Sequence, residues 1–116
     1  MNNSGPADAA WNEQGAGPER ILVLRLYVAG RGPNSMRAMA NLDALVKAVG
    51  RENFEIEIVD VLMEPERALQ DHVLVTPTLI KLAPLPMIQV AGDLSNLYRV
   101  VYALGLDPGI EFRRGE

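Results

Sequence analysis

The chain has 116 residues, room for one domain with one modest core; 48% of them are hydrophobic, 22% charged, and the net charge is −4. It contains no cysteine, which excludes disulfide stapling, thiolate metal sites and thiol redox chemistry, and fits a reducing compartment. No basic stripe with interleaved aromatics points to nucleic acid, no apolar run reaches the ~18 residues that cross a bilayer, and no secretory signal opens the chain; a cytoplasmic location is expected. The charge is uneven. Residues 51–72 hold seven acidic groups (Glu52, Glu55, Glu57, Asp60, Glu64, Glu66, Asp71) against Arg51 and Arg67, for −5, and the remainder is +1.

Residues 1–19 are rich in Gly, Asn, Ala and Pro without apolar periodicity, which reads as a disordered tail carrying the single tryptophan, Trp11. A domain is expected over residues 20–106. Ile21 to Ala29 is apolar except for Arg25 and suits a central strand covered on both faces. Gly30, Gly32 and Pro33 break it. Pro33 suits the first turn of a helix capped by Asn34 or Ser35, with Ala38, Leu42, Leu45, Val46 and Val49 inward and Gly50 at its end. Phe54 to Val61 begins with strict alternation, one face core and the other showing Glu55 and Glu57. With the first strand it makes a right-handed, parallel βαβ unit.

Beyond residue 62 the pattern is mixed. Glu64-Pro65-Glu66 suits a helix start, Leu79 to Ala83 a strand, Pro84-Leu85-Pro86 a turn and Met87 to Ala91 a returning strand ended by Gly92. Asp93 or Ser95 is expected to cap a last helix with Leu94, Leu97, Val101 and Leu104 inward, stopped by Gly105. Residues 107–116 read as a short frayed tail. The segments around 79–91 and 94–106 also allow the opposite assignment, helix for strand and strand for helix.

The order strand-helix-strand-helix-strand-strand-helix, with Gly32-Pro33 in the loop after the first strand and Thr76-Pro77-Thr78-Leu79 entering a later one, resembles a thioredoxin-like domain. Arg31 and Asn34 stand where such domains place two thiols, so binding rather than catalysis is expected. Leu26-Tyr27-Val28-Ala29-Gly30 with Pro33-Asn34-Ser35-Met36-Arg37-Ala38 is similar to the signature of the KaiB family of circadian clock proteins. Asp60-Val61-Leu62 with Pro65, and Thr76-Pro77-Thr78-Leu79 with Lys81, Pro84-Leu85-Pro86 and Gly92-Asp93-Leu94-Ser95, agree at matching spacing over residues 21–104.

That resemblance implies two folds sharing the first half: a resting tetramer ordered βαββααβ, and a thioredoxin-like monomer, βαβαββα, that binds the N-terminal ATPase ring of KaiC. The two differ after about residue 62, and each packing must lie within a few kcal/mol of the other. The resemblance assigns partner contact to Arg37 and Lys81, with Glu55 and Glu57 as further candidates on the second strand. It assigns fold-switch or structural roles to Gly30, Pro33, Thr76, Pro77, Thr78, Pro84, Pro86, Gly92 and Asp93. Pro77 suits a cis bond, and with Pro84 and Pro86 would help set a slow interconversion. Tyr27 reads as a packed strand residue and His72 as solvated. No catalytic, cofactor-binding or metal-ligating set is expected. Glu57 and Ile88-Gln89 stand where family members that capture KaiA carry basic residues, and the acidic C-terminal tail is missing, which puts KaiA capture in doubt. A clock histidine kinase remains a candidate partner, and a stress-related or sensor-type interaction module is the alternative function.

Overall fold

Seven apolar-rich residues, Leu22–Val28, form strand β1 at the middle of a four-stranded sheet in the computed structural model, which describes residues 21–106. Helix α1 (Pro33–Val49) follows, then a short 3-10 turn (Arg51–Asn53), strand β2 (Phe54–Asp60), helix α2 (Pro65–Gln70), strands β3 (Thr78–Ala83) and β4 (Ile88–Ala91), and helix α3 (Leu97–Leu104). The strand order is β2-β1-β3-β4. β1 runs parallel to β2, pairing Leu22 with Phe54 through Val28 with Asp60, and antiparallel to β3, which runs antiparallel to β4. This is the expected βαβαββα arrangement. The tails at 1–19 and 107–116, and with them Trp11, lie outside the described residues.

Side chains alternate across β1, and the two faces bury different partners. Leu22, Leu24, Leu26 and Val28 join Ala38, Leu42, Leu45 and Val46 of α1 and Val100, Val101 and Leu104 of α3 in the main core. Tyr27 meets Val59 and Ile80 on the other face, where Ala68 of α2 and Val73 pack against them. A strand buried on both faces must be apolar throughout, which explains the continuous run. Arg25 interrupts it because its half-buried guanidinium is neutralised on that second face.

The caps differ from expectation. The N-cap of α1 is Gly32, in extended conformation without a side-chain hydrogen bond, and Pro33 takes the first helical position. Asn34 and Ser35 lie inside the helix; the Ser35 hydroxyl instead accepts from the Ala29 N–H at 3.0 Å, tying helix to strand end. Neither Asp93 nor Ser95 caps α3; the Asn96 carboxamide does, accepting from the Arg99 N–H at 3.2 Å. Asp93 Oδ1 is occupied by the Ser95 N–H in a tight local turn. Gly50 and Gly105 end their helices as expected. Gly30 has φ +58, and a Cβ there would lie 3.2 Å from Leu62 Cδ1, so the glycine serves both the turn and the close approach. Gly32, at φ −60, needs no such freedom. On β2, Ile58 is exposed although it shares the core face with Phe54 and Ile56, because β2 is an outer strand.

Candidate functional site

The loop that would hold thiols in a redox domain is braced by the backbone rather than armed for chemistry. Arg31 and Asn34 are both exposed, and Asn34 Oδ1 accepts from the Arg37 guanidinium. The quoted motifs meet one another across the fold. Asp60 Oδ1 accepts from the N–H groups of Gly30 and Leu62, each at 3.0 Å. The Pro77 carbonyl accepts from the Gly92 N–H at 2.9 Å, and Thr78 Oγ1 donates to the Val75 carbonyl at 2.7 Å. Thr76-Pro77 is cis as expected, as are Ala83-Pro84 and Leu85-Pro86. Arg37 Nε reaches Asp93 Oδ2 at 3.1 Å, and Asn41 Nδ2 donates to the Asp93 carbonyl at 2.8 Å. Asp93 is held below the usual carboxylate range by Ser95 first and Arg37 after it. Much of the signature is thus polar stitching between segments.

Two expected contact residues change role. Lys81 is buried, with 6% of its surface exposed, because β3 places it opposite Leu24 and Ile88 on the helix-covered face. It is a core-facing position, not a free surface cation. Glu57 stays on the surface but is internally engaged. Arg67 grips it with two nitrogens at 2.7 and 2.8 Å, and Arg25 Nε lies 2.9 Å away. Arg25 Nη1 continues to Asp71 Oδ2 at 2.8 Å, and the same oxygen accepts from the Tyr27 hydroxyl at 2.6 Å. Arg67, then Arg25, pull Glu57 down to about 2, while burial, then the hydrogen bond to Asp71, pushes Tyr27 up to about 12. The network joins β1, β2, α2 and the residue after it. Glu55 alone of the four is both exposed and without an ion pair among the described residues. Arg37, Lys81 and the acidic pair therefore do not converge on one site: Lys81 faces the helices, and Glu55 and Glu57 the opposite side.

A different surface stands out. Leu62, Met63, Leu69, Leu74 and Val75 are all exposed, from 54% to 93%, around α2 and its flanking loops. A cleft of about 260 Å³ between Val61, Ala68, Val73, Leu74, Val75 and Thr76 lies among them. Large apolar groups gathered in this way mark a surface for another macromolecule. Periodicity misses them because α2 has six residues, too few to show an outward apolar face. The signal in the sequence is Leu62-Met63 and Leu74-Val75 standing beside a short helix flanked by Glu64 and Asp71. Among the described residues no cluster of three His, Cys, Asp or Glu side chains is placed to hold a metal, and no helix is long and apolar enough to cross a membrane.

The family described as the KaiB domain matches residues 25–106. The chain belongs to the KaiB family. The circadian clock oscillator protein KaiB of Parasynechococcus marenigrum is 42% identical over 89 residues, covering 77% of this chain and 86% of that protein. The circadian clock protein KaiB3 of Synechocystis is 38% identical over 96 residues, covering 82% and 94%. Among solved structures, the N-terminal domain of SasA from Synechococcus elongatus superposes with a TM-score of 0.60 at 23% identity, covering 78% of this chain and 90% of that one. Mitochondrial thioredoxin 3 of Saccharomyces cerevisiae gives 0.61 at 14% identity, over 83% and 88%. The fold is thioredoxin-like, and in this KaiB-family chain the loop of that fold has no thiol.

Proposed function

We propose that the protein is a non-catalytic clock or timer regulator that docks on the N-terminal ring of a KaiC-type hexameric ATPase and alters its phosphorylation or ATPase cycle. One observation carries this reading: a KaiB-family chain keeps the thioredoxin-like frame without thiols and exposes five large apolar side chains around α2. Such a surface offers binding rather than reaction. The described arrangement is then the docking form, and the tetrameric βαββααβ fold its resting counterpart. If the docking form is the minor state, apparent affinity falls by its fractional population. Arg37 and Glu55 lend exposed charge, whereas Glu57, held by Arg25 and Arg67, argues against KaiA capture.

Cosedimentation with a KaiC hexamer, in ATP and in ADP, tests this after prolonged incubation. The full chain is expected to cosediment. A Leu69→Glu, Leu74→Glu variant, changed only at exposed positions, is expected to keep its melting temperature and bind about thirtyfold more weakly, the scale of one hot-spot contact. Absence of binding by the full chain removes the reading, and undiminished binding by the variant removes the apolar surface from it. The likeness to the SasA N-terminal domain favours a second reading, a sensor-type interaction module or clock-kinase partner that ignores the hexamer.

A further inference from the structure

Helix α3 turns one face to solvent. Its inward side chains are Val100, Val101 and Leu104, whereas Tyr102 is 86% exposed and Arg99 is exposed beside it. Arg99 and Tyr102 stand three positions apart, so on a helix they are neighbours on that outward face. The Arg99 guanidinium has no ion pair among the described residues. Helix α2 presents the counterpart. Glu66 and Leu69 stand at the same spacing and both are exposed, and Glu66 has no ion pair among the described residues either. Ala68, adjoining Leu69, is one wall of the cleft of about 260 Å³ that continues to Val73, Leu74 and Val75.

We propose that these two surfaces bind each other between copies of the chain. Arg99 of one copy pairs with Glu66 of the next, and the Tyr102 ring packs on Leu69 at the mouth of the cleft. Three observations select a second copy. Each helix carries one unpaired charge and one large apolar group at one spacing, and the two charges are opposite in sign. The arginines on the α2 side, Arg25 and Arg67, are taken up by Glu57 and Asp71, so Glu66 meets no cation of its own chain among the described residues. The cleft lies under the ~300 Å³ lower end of small-molecule sites and suits one side chain, and an aromatic ring can bury roughly 150–250 Å² there. The two helices also lie on opposite faces of the sheet, so no chain can satisfy its own surfaces. The contact is therefore heterologous: each copy keeps one free α3 and one free α2 surface, and copies add head to tail rather than closing as a symmetric pair. Covering α2 also hides the surface assigned above to the hexamer; that consequence rests on the ATPase reading, and the contact itself does not.

Sedimentation velocity of the full chain, from micromolar to millimolar concentration and without any hexamer, tests the contact. The sedimentation coefficient is expected to keep rising with concentration and to fall on adding salt, which screens an exposed pair. Arg99→Glu alone and Glu66→Arg alone are expected to weaken self-association several-fold, because each sets like charges face to face. The two variants mixed, or both changes in one chain, are expected to recover it, since opposite charges then meet again. Amide shifts on dilution of the unchanged chain decide without any variant: Leu69, Leu74 and Tyr102 are expected to move together while α1 stays still. A coefficient constant with concentration, whether of a monomer or of a closed oligomer, overturns the proposal, as does association lost in the single variants and not recovered in their mixture. So does a chain that stays single while its Leu69 and Leu74 amides shift with the peptide acetyl-Arg-Ala-Ala-Tyr-amide, which leaves the surface to a foreign basic partner.

Discussion

At the scale of single residues, the ion-pair network around Glu57 is the feature with the sharpest consequences. Its folded value of about 2 lies below the ordinary 4.5, so its contribution is present above pH 4.5 and is lost as pH falls toward 2. Asp71, which burial alone would raise, is lowered by Tyr27 and Arg25, so its contribution too is lost on acidification. Glu57→Gln is therefore expected to melt lower than the parent at neutral pH and low salt. That gap should close on acidification and narrow in high salt, since Glu57 is exposed; thermal melts at several pH values measure both. Tyr27 has the opposite sign. Its value rises from 10 to about 12, so its contribution holds below pH 10 and fades between 10 and 12. Tyr27→Phe is expected to cost about 1 kcal/mol in urea unfolding, because Asp71 loses a donor while the ring stays packed. None of this was legible in the sequence. Arg25 lies 32 positions from Glu57 and 46 from Asp71, and charge spacing along a chain does not say which groups folding brings together.

At the scale of elements, what could be read depended on how many residues each element contributes. β1, α1 and β2 were plain, because a seven-residue strand apolar except for Arg25, a 17-residue helix and strict alternation each give a pattern that outlasts its exceptions. The strand character of β3 and β4 was readable from the proline turn between them, although their apolar runs also allowed helix. The N-caps of α1 and α3 differ from expectation because several short polar residues stand in a row, and only backbone geometry chooses among Asp93, Ser95 and Asn96. Lys81 was misread for a related reason. A lysine in an apolar run reads as a surface position, yet on an inner strand the neighbours Leu24 and Ile88 decide its face. Lys81→Met is accordingly expected to leave melting unchanged or raise it, whereas Lys81→Asp should lower it markedly. A surface-exposed Lys81 would make both substitutions neutral, and circular dichroism melts separate the cases.

At the scale of the whole molecule, the sheet divides labour between its faces. α1 and α3 complete the main core, while the other face carries the ion-pair network, the short α2 and the apolar residues for which docking is proposed. Besides the β1–β3 ladder, the halves are joined by side-chain links from Arg37 and Asn41 to Asp93, from Arg25 and Tyr27 to Asp71, and from Arg67 to Glu57. Of these, the exposed Arg37–Asp93 pair is worth at most about 1 kcal/mol, whereas the links to Asp71 are part-buried. The outer margin of β2 has a further consequence. Among the described residues its backbone pairs only with β1, so Phe54–Asp60 presents amide and carbonyl groups that none of them matches. Two acids guard that margin, and one of them, Glu57, is already neutralised by its arginines, which leaves Glu55 as the remaining electrostatic sentry. Glu55→Val would lengthen the apolar stretch around Ile56 and Ile58 and is expected to make the chain scatter light and bind amyloid dyes on warming, where the parent does neither.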